Sequence, residues 1–259
     1  NIANKYNTGF EYIPEIINSS ESNIGFDLEH PILTTNPEAN FFAKVVLKIA
    51  GGILPETVNP STKENFTFWD IKPGQGHRNS LGLTDKGRFS IKYMMKKGFL
   101  IDIDHMSEKG VKEVLNFAIL NDYPINSGHN GFREPEGNEN NRTIEQYSQI
   151  SQTGGMIGLG HSGVSSKFVE NYKAALQVMG NKNVSIGTDV NGFFPLPYAD
   201  TSIHVVYDNI NLTRCKTGNR TWDINTDGFA HYGLFPDYIK SWEVAGMTMQ
   251  EKNIFMNSA

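Results

Sequence analysis

Three side chains in this sequence have the chemistry and the setting of ligands for a divalent metal ion. His105 and His129 each follow a short apolar run, and Asp189 ends another run, over residues 184–189. Imidazole nitrogen and carboxylate oxygen are groups that zinc and similar ions accept in proteins. A single histidine after an apolar run suits a hydrogen-bonded core or loop position equally well, so both roles stay open at this point.

The elements that must position these side chains are short strands that alternate with helices. Strands are predicted over residues 99–103, 123–127, 156–161 and 184–189. The helix between the first two has an apolar stripe made of Val111, Val114, Leu115, Ala118 and Ile119. Because right-handed crossovers bring the ends of parallel strands to one rim of a sheet, both histidines should face one site.

Start and stop signals predict the remaining helices. One should begin at Thr84 or Asp85 and end at Gly98, since Thr and Asp cap helix starts and Gly tolerates the left-handed end. The others are predicted over residues 37–49, 144–152, 169–179, 236–245 and 249–255, with Thr143 as a cap of the second of these.

Together these elements predict an α/β fold that forms part of a (β/α)8 barrel, because no glycine-rich phosphate loop opens a helix as in nucleotide-binding sheets. Three regions follow. Residues 1–97 form an irregular insertion or lid region with a leading helix, residues 98–192 a four-strand half-barrel that carries the metal site, and residues 193–259 a long loop and C-terminal helices.

Composition excludes several classes of protein. The 23 Lys and Arg against 28 Asp and Glu leave no basic surface for nucleic acid, and no apolar run has the roughly 20 residues of a membrane span. The single cysteine, Cys215, cannot form an internal disulfide or a thiolate metal cluster. The compartment stays undetermined between cytoplasmic and secreted or periplasmic. The start at Asn1 has neither an initiator Met nor a signal peptide, which suggests that an upstream segment has been removed.

Several motifs resemble the membrane (renal) dipeptidase family of binuclear zinc peptidases. The string NSLGLTDKGRFSIKYMMKKGFLIDIDHMS, over residues 79–107, is similar to the family's LGLT-then-helix element and its strand that closes on D-x-x-H-x-S. Residues 124–129, 141–143, 154–158 and 186–192 then match the Ser-His strand, the following Arg, the GG-x-I-G strand and the G-[ST]-D-F-D-G signature. Residues 230–234 and the loops before residue 75 are similar to a bacterial branch.

The resemblance implies a fold and an activity. The chain would be the C-terminal half of a TIM-like barrel of the metal-dependent hydrolase type, with long loops. Its implied function is zinc-dependent cleavage of a small amide, above all a dipeptide, by a hydroxide that bridges two zinc ions. His105 and His129 would bind one ion. Asp189 would bind the other and act as the catalytic group on the proton of the hydroxide, while Arg142 would bind the substrate carboxylate, which suits its planar fork.

The sequence also departs from the family. It has no H-x-D pair and no convincing bridging glutamate, and Asn130 and Asn191 stand where the family commonly has Ser and Asp. The missing N-terminal half of the barrel should therefore lie on another polypeptide segment, on which the activity of this chain would depend; a homodimer is a further expected partner. The alternatives are a metal-free barrel that acts as a binding or structural module, and an amidohydrolase for a lactone or cyclic amide.

Other histidines are weaker candidates. His161 follows the third strand, and a rim position without metal is favoured for it. His30 next to Glu29, and His77 next to Arg78, could bind a ligand or substrate, but solvated loop positions are favoured. His231 and its neighbour Tyr232 should be packing residues.

Overall fold

The computed structural model describes residues 28–29, 78–79, 82–133, 139–189, 196–208 and 211–258. The chain divides into two compact units. The first unit comprises Asn1–Tyr123 and Phe132–Gln146, and the second comprises Pro124–Gly131 and Tyr147–Ala259. The predicted helix over residues 37–49 lies outside the described residues, as do His30 and His77.

In the residues that the structure describes, the first unit contains a short antiparallel strand pair and two helices. Strand β1 (Leu28–Glu29) pairs with β2 (Arg78–Asn79), with Leu28 opposite Asn79. Helix α1 spans Asp85–Lys97 and helix α2 spans Glu108–Asn121. The two segments around Glu29 and Arg78, expected to be loops, are therefore paired strands at these four residues.

Helix α1 begins and ends where the sequence predicts. The Thr84 side chain accepts a hydrogen bond from the Gly87 amide at 3.1 Å, and Gly98 closes the helix with φ 73°. Only Ile91 is buried in this helix, while Phe89 is 70% exposed and Tyr93 is 49% exposed. The caps rather than burial define this helix.

Helix α2 buries the predicted stripe. Val111, Val114, Leu115 and Ala118 are fully buried, and Ile119 is half-buried. The Ser107 hydroxyl caps the helix by accepting the Gly110 amide at 3.0 Å. This buried face fixes α2. It also helps to fix the turn that carries His105, which comes just before the helix.

The first predicted strand is wrong. Residues 99–103 form no strand, and Asp102 alone makes an isolated bridge. The alternation that suggested a strand is present, since Ile101 and Ile103 are buried while Leu100 is 88% exposed. Alternating burial shows which side of an extended segment packs, but a strand also needs a neighbouring backbone to pair with along its length.

The second unit contains a three-stranded parallel sheet in the order β3–β4–β5. Strand β3 spans Asn126–Asn130, β4 spans Met156–Leu159 and β5 spans Val184–Ile186. Ile157 of β4 lies opposite Ser127 on one side and Val184 on the other. Helix α3 (Ile144–Gln152) lies between β3 and β4 in the chain, and α4 (Ser165–Val178) between β4 and β5. The strands predicted to begin at Met156 and Val184 are thus confirmed, whereas the one predicted over residues 123–127 lies three residues later, at β3.

The C-terminal part of the second unit is helical after a short hairpin. Strands β6 (Lys216–Thr217) and β7 (Arg220–Thr221) form the hairpin. They are followed by α5 (Ile224–Asp227), a 3-10 helix (Tyr232–Leu234), α6 (Phe235–Val244) and α7 (Met249–Met256). Both helices predicted in the tail are confirmed.

Aromatic side chains join α4 to these C-terminal helices. The rings of Phe168 and Trp242 stack with centroids 4.4 Å apart, and Phe255 meets Trp242 edge-on at 5.1 Å. Phe168 and Trp242 are fully buried. This cluster fixes α4 against the C-terminal helices.

Helix α4 is capped by a residue from a distant loop. Its own N-cap residue, Val164, makes no side-chain cap. Instead, the Asp200 carboxylate accepts the Ser166 amide at 2.7 Å and the Ser202 amide and hydroxyl at 3.0 and 2.6 Å. Burial opposes the charged form of Asp200, but these hydrogen bonds outweigh it and lower its pKa to about 2.

The part of the chain that the structure describes is a mixed α/β protein with a three-stranded parallel sheet. Within it, no helix is both long enough and apolar enough to cross a bilayer. The closed barrel and the three-region division stay predictions.

Candidate metal and active site

His129 lies in an irregularity of strand β3. Ser127 pairs with Ile157 and Asn130 pairs with Leu159, so Gly128 and His129 together face the single residue Gly158. This is the arrangement of a β-bulge, which bends a strand and redirects a side chain, and bulges are frequent next to active sites. The imidazole therefore belongs to a distorted part of the strand, and the side chain is half-buried.

Two glycines make room for this bulge. A Cβ added to Gly158 on β4, or to Gly187 after β5, would collide with the carbonyl oxygen of Gly128. The same Cβ at Gly187 would lie 3.0 Å from the Cα of His129, which is closer than most side-chain carbons approach other atoms. Only glycine fits where three backbones approach this closely.

Asn130 and Ser127 close the bulge from within. The Asn130 side-chain amide donates a hydrogen bond to the Ser127 hydroxyl, and both residues are buried. The carbonyl oxygen of Asn130 also accepts the Gly160 amide at 2.8 Å. Asn130 is one of the departures from the family motif. Here its side chain forms a hydrogen bond with Ser127, so the residues on either side of Gly128 and His129 are joined.

Asp189 follows β5 in the same unit. Its backbone has φ 49°, a left-handed conformation that Asp adopts more readily than most residues, and the residue is exposed. Gly187, two positions earlier, packs against the backbone of Gly128 and His129. The structure therefore brings the chain segments of His129 and Asp189 together at one end of the sheet.

His105 occupies a strained turn in the first unit. The turn is closed by a hydrogen bond from the Met106 amide to the Ile103 carbonyl at 3.3 Å, so His105 is its third residue. Its φ of 61° is the left-handed value that this position demands in several turn types and that usually selects Gly or Asn. For histidine this conformation costs about 1–2 kcal/mol.

Residues from later in the chain hold this turn by hydrogen bonds and an ion pair. The Asn140 side-chain oxygen accepts the His105 amide at 2.7 Å. The buried Glu139 carboxylate accepts the Glu108 amide at 2.6 Å, at the start of α2, and Arg133 pairs with the Glu108 carboxylate at 3.0 Å. The backbone of His105 and the start of α2 after it are thus tied to Arg133, Glu139 and Asn140.

Arg142 belongs to the same loop and is fully buried. Its Nη1 donates to the Glu139 carbonyl at 3.0 Å, and its Nη2 donates to the Ile103 carbonyl at 2.9 Å. Nη2 also lies 3.5 Å from the Asp104 carboxylate, whose side chain is 5% exposed. These hydrogen bonds direct the guanidinium at the turn that carries His105.

The predicted ligands are donors of the right chemistry but are divided between the units. His105 belongs to the first unit, and His129 and Asp189 belong to the second. Within residues 82–133, 139–189, 196–208 and 211–258, no three His, Cys, Asp or Glu side chains are grouped so as to hold a metal ion. Imidazole and carboxylate fit zinc, and the segments of His129 and Asp189 lie together. The convergence of all three stays a prediction.

Two other histidines bond to local backbone. His161 accepts the Gly163 amide at its Nδ1 at 3.1 Å, and its carbonyl accepts the Tyr238 hydroxyl at 3.1 Å. His231 accepts the Gly233 amide at Nδ1 at 3.0 Å and packs against the Trp222 ring with centroids 4.8 Å apart. The His231 ring packs as predicted.

Sequence reasoning missed the supporting residues of the site. Gly158 and Gly187 belong to the matched motifs, and an isolated glycine in a strand pattern often marks a close backbone approach. Glu139 and Asn140 lie in a polar loop with no pattern, and no signal in the sequence pointed to them. Their roles depend on contacts with residues far away in the chain.

Comparison with known proteins identifies the family. The sequence model of the membrane dipeptidase family, peptidase family M19, matches residues 64–213, which is more than half of the chain. The chain belongs to this family. No curated protein sequence matches it significantly.

Several solved structures are similar to parts of the chain. An amidohydrolase from Pseudomonas aeruginosa is 20% identical over 69% of this chain and 55% of its own length, with a TM-score of 0.47. Dipeptidase AC, a metallopeptidase of family M19, is 22% identical over 47% of this chain and 40% of its own, with a TM-score of 0.38. A metallopeptidase from Rhodobacter sphaeroides, liganded with a phosphinate mimic of the dipeptide L-Ala-D-Ala, gives the same four values. The chain thus spans about half the length of these proteins, or less.

Proposed function

We propose that this chain carries part of the active site of a metal-dependent hydrolase that cleaves a small amide, with a dipeptide as the leading substrate. Membership of the membrane dipeptidase family supports the reaction class. The observation that carries the proposal is the bulge at Gly128 and His129, which two glycines accommodate and which places the His129 segment beside the segment of Asp189. The sheet β3–β4–β5 would be part of the C-terminal half of a barrel.

In this proposal His105, His129 and Asp189 are ligands of a zinc site. Zinc bound by such residues lowers the pKa of water toward 7 and polarises a carbonyl group, so that hydrolysis proceeds at neutral pH. The family resemblance implies two ions, with further ligands to which the motifs matched here assign no residue. In the proposed site, the backbone of this chain would hold the side chains of His105, His129 and Asp189 in fixed positions.

Asp189 has a second task in the proposed reaction. Its exposed carboxylate can accept a proton from the attacking water and return it to the leaving amine, as a general base and then a general acid. The left-handed backbone at φ 49° is the kind of local strain that functional sites hold in place by their surroundings. Here the surroundings include the Gly187 contact.

The role of Arg142 separates two substrate classes. A dipeptide has a free carboxylate, and the family resemblance assigns its recognition to Arg142. The second candidate is an amidohydrolase acting on a lactone or a cyclic amide, which needs no such contact. The observation that favours this candidate is the burial of Arg142 and the direction of its hydrogen bonds toward Glu139 and Ile103.

Metal content and hydrolysis test the function. The full chain, prepared with and without added zinc, is analysed for bound metal and assayed on a panel of dipeptides, lactones and cyclic amides. His129→Ala and Asp189→Asn should each lower zinc content and reduce hydrolysis by at least about a hundredfold. His204→Ala is the matched control, because His204 is exposed and lies outside the sheet.

Two other outcomes would count against the proposal, and each contradicts a different part of it. Zinc bound in the wild-type chain but unchanged in both variants would contradict the ligand assignment. No zinc, no hydrolysis and no protection by added zinc against heat would favour the metal-free binding or structural module.

A further inference from the structure

We propose that His161 is a further substrate-binding residue of the site, which donates a hydrogen bond from Nε2 to an oxygen atom of the amide substrate and binds no metal ion. The substrate is that of the proposed function, on which this assignment rests. The structural basis lies within the second unit, to which His129, His161 and Asp189 all belong.

His161 follows the central strand of the parallel sheet. In the order β3–β4–β5, strand β4 ends at Leu159, two residues before His161. His129 lies near the end of β3, and Asp189 comes soon after the end of β5. Because the carboxyl ends of parallel strands lie at the same edge of a sheet, the His161 segment lies between the segments of these two proposed ligands.

Hydrogen bonds from two directions fix the backbone that carries His161. The Gly160 amide donates to the Asn130 carbonyl on β3 at 2.8 Å, so the residue before His161 is bonded to the residue after His129. The His161 carbonyl accepts the hydroxyl of Tyr238, a buried residue of α6, at 3.1 Å. His161 is therefore held from β3 and from a C-terminal helix.

A hydrogen bond to the His161 ring fixes its tautomer. The Gly163 amide donates to His161 Nδ1 at 3.1 Å, and since a backbone amide is a donor, Nδ1 must carry the lone pair. The ring is then neutral and its proton is on Nε2. In this tautomer Nε2 has no lone pair for a metal ion, but it can donate to an oxygen atom.

The turn after His161 is built so that this contact forms. Ser162 has φ 58° and Gly163 has φ 83°, so two successive residues adopt a left-handed backbone. Asn171 on α4 donates to the Ser162 hydroxyl at 2.9 Å, and the Tyr198 amide donates to the Gly163 carbonyl at 2.7 Å. A left-handed serine is local strain of the kind that functional sites keep through their surroundings. Nδ1 is thus held at the turn, and Nε2 is turned away from Gly163.

The chemistry of this position matches an amide substrate. Such a substrate presents oxygen atoms as acceptors, and a few well-placed polar groups of a site fix its orientation. His129 and Asp189 are the proposed metal ligands on the two outer strands, and His161 supplies a hydrogen-bond donor on the strand between them. The three residues then have different tasks at one edge of the sheet.

Two substitutions separate the two ring nitrogens of His161. His161→Asn keeps an acceptor near the position of Nδ1 but has no donor near that of Nε2, whereas His161→Gln places a donor near the position of Nε2. In the full chain with zinc, kcat/KM for a dipeptide should fall at least about tenfold in His161→Asn and less in His161→Gln. Zinc content should equal that of the wild type in both. Wild-type kcat/KM in His161→Asn, equal losses in the two variants, or loss of zinc in both would overturn the proposal.

His231→Asn is the matched control. His231 makes the same contact with the amide two residues later, from Gly233 to Nδ1 at 3.0 Å, but it precedes the 3-10 helix instead of following a strand of the parallel sheet. Its substitution should leave kcat/KM and zinc content unchanged. A fall equal to that in His161→Asn would mean that the loss of such a turn contact alone explains the effect, which also overturns the proposal.

Nuclear magnetic resonance of isotope-labelled histidine tests the donor without requiring activity. The ring nitrogen signals that are absent from His161→Gln belong to His161. We expect the proton on Nε2 before and after zinc is added, and a shift of this Nε2 signal when a phosphinate analogue of a dipeptide, which cannot be hydrolysed, is added to the zinc-loaded chain. Loss of the Nε2 proton on addition of zinc would make His161 a metal ligand and overturn the proposal.

The same signal distinguishes failure of the substrate contact from failure of the proposed function. If the wild type hydrolyses no dipeptide, the proposed function fails, and a shift of the His161 Nε2 signal with the phosphinate still supports the contact. If the wild type hydrolyses dipeptides and the phosphinate leaves the signal unchanged, the function stands and the contact is overturned.

Discussion

Gly187 and His129 lie so close together that a Cβ on Gly187 would be 3.0 Å from the Cα of His129. One residue follows β5 and the other lies in the bulge of β3, so they meet across the intervening strand β4. Gly158 on β4 approaches the same bulge, since a Cβ there would collide with the Gly128 carbonyl. The backbone around the proposed ligand is packed without space for side chains.

We therefore expect alanine to be poorly tolerated at both glycines. Gly187→Ala and Gly158→Ala should each lower the free energy of unfolding by about 2–4 kcal/mol, because the neighbour that must move is backbone rather than a flexible side chain. Urea denaturation at pH 7 measures the change. Zinc content should fall in the same variants, since the bulge that presents His129 has to shift.

Gly160→Ala is the control for this prediction. Gly160 follows the same strand β4, but the nearest atom to an added Cβ there is 3.9 Å away, an ordinary contact. Its free energy of unfolding should stay within about 0.5 kcal/mol of the wild type. Equal effects at Gly160 and Gly187 would show that the close approach to His129 is not the cause.

The elements with local signals could be predicted from the sequence. Thr84 and Gly98 bound helix α1 because a hydroxyl cap and a left-handed glycine act within one turn of chain. The buried stripe of α2 follows from helical spacing in the same way. These signals need no partner from elsewhere in the chain.

The positions of the strands are harder to predict from the sequence. The polar sequence of β3, Asn126–Asn130, has low strand preference, and the prediction placed the strand over residues 123–127 instead. Pairing with β4 decides the strand, and the bulge at Gly128 and His129 is part of that pairing. Contacts between distant segments, such as Asn140 with His105, are likewise invisible to spacing and composition.

A second prediction concerns Asn130, whose side chain bridges the bulge by donating to the Ser127 hydroxyl. Asn130→Ala should lower the free energy of unfolding by about 1–3 kcal/mol, because it leaves a buried hydroxyl without that donor. The matched control is Asn257→Ala. Asn257 donates to the Asn253 carbonyl at 2.8 Å in an exposed setting, so its loss should cost less than about 0.5 kcal/mol. Equal unfolding midpoints for the two variants would argue against a structural role for Asn130.

A third prediction concerns Ser107, which caps α2 two residues after His105. Ser107→Ala should cost about 1 kcal/mol, whereas Ser107→Gly should cost only a few tenths, because glycine leaves the helix start open to other partners. Thermal and urea unfolding of the two variants give the comparison. A larger loss for glycine than for alanine would mean that the side chain acts by packing rather than by capping.

The last prediction concerns the pH dependence of stability at Asp200. Its pKa of about 2 in the folded chain lies below the value of about 3.9 for an unfolded aspartate. A lowered pKa means that the carboxylate stabilises the fold above about pH 4 and that this contribution is lost as the pH falls through about 2. Asp200→Asn retains an acceptor for the Ser166 amide but has no charge at the start of α4. We expect it to be about 1 kcal/mol less stable at pH 7, a value reduced for partial solvent exposure, and to converge with the wild type near pH 2. Urea unfolding at several pH values between 2 and 7 measures both curves, and parallel curves across this range would contradict the assignment.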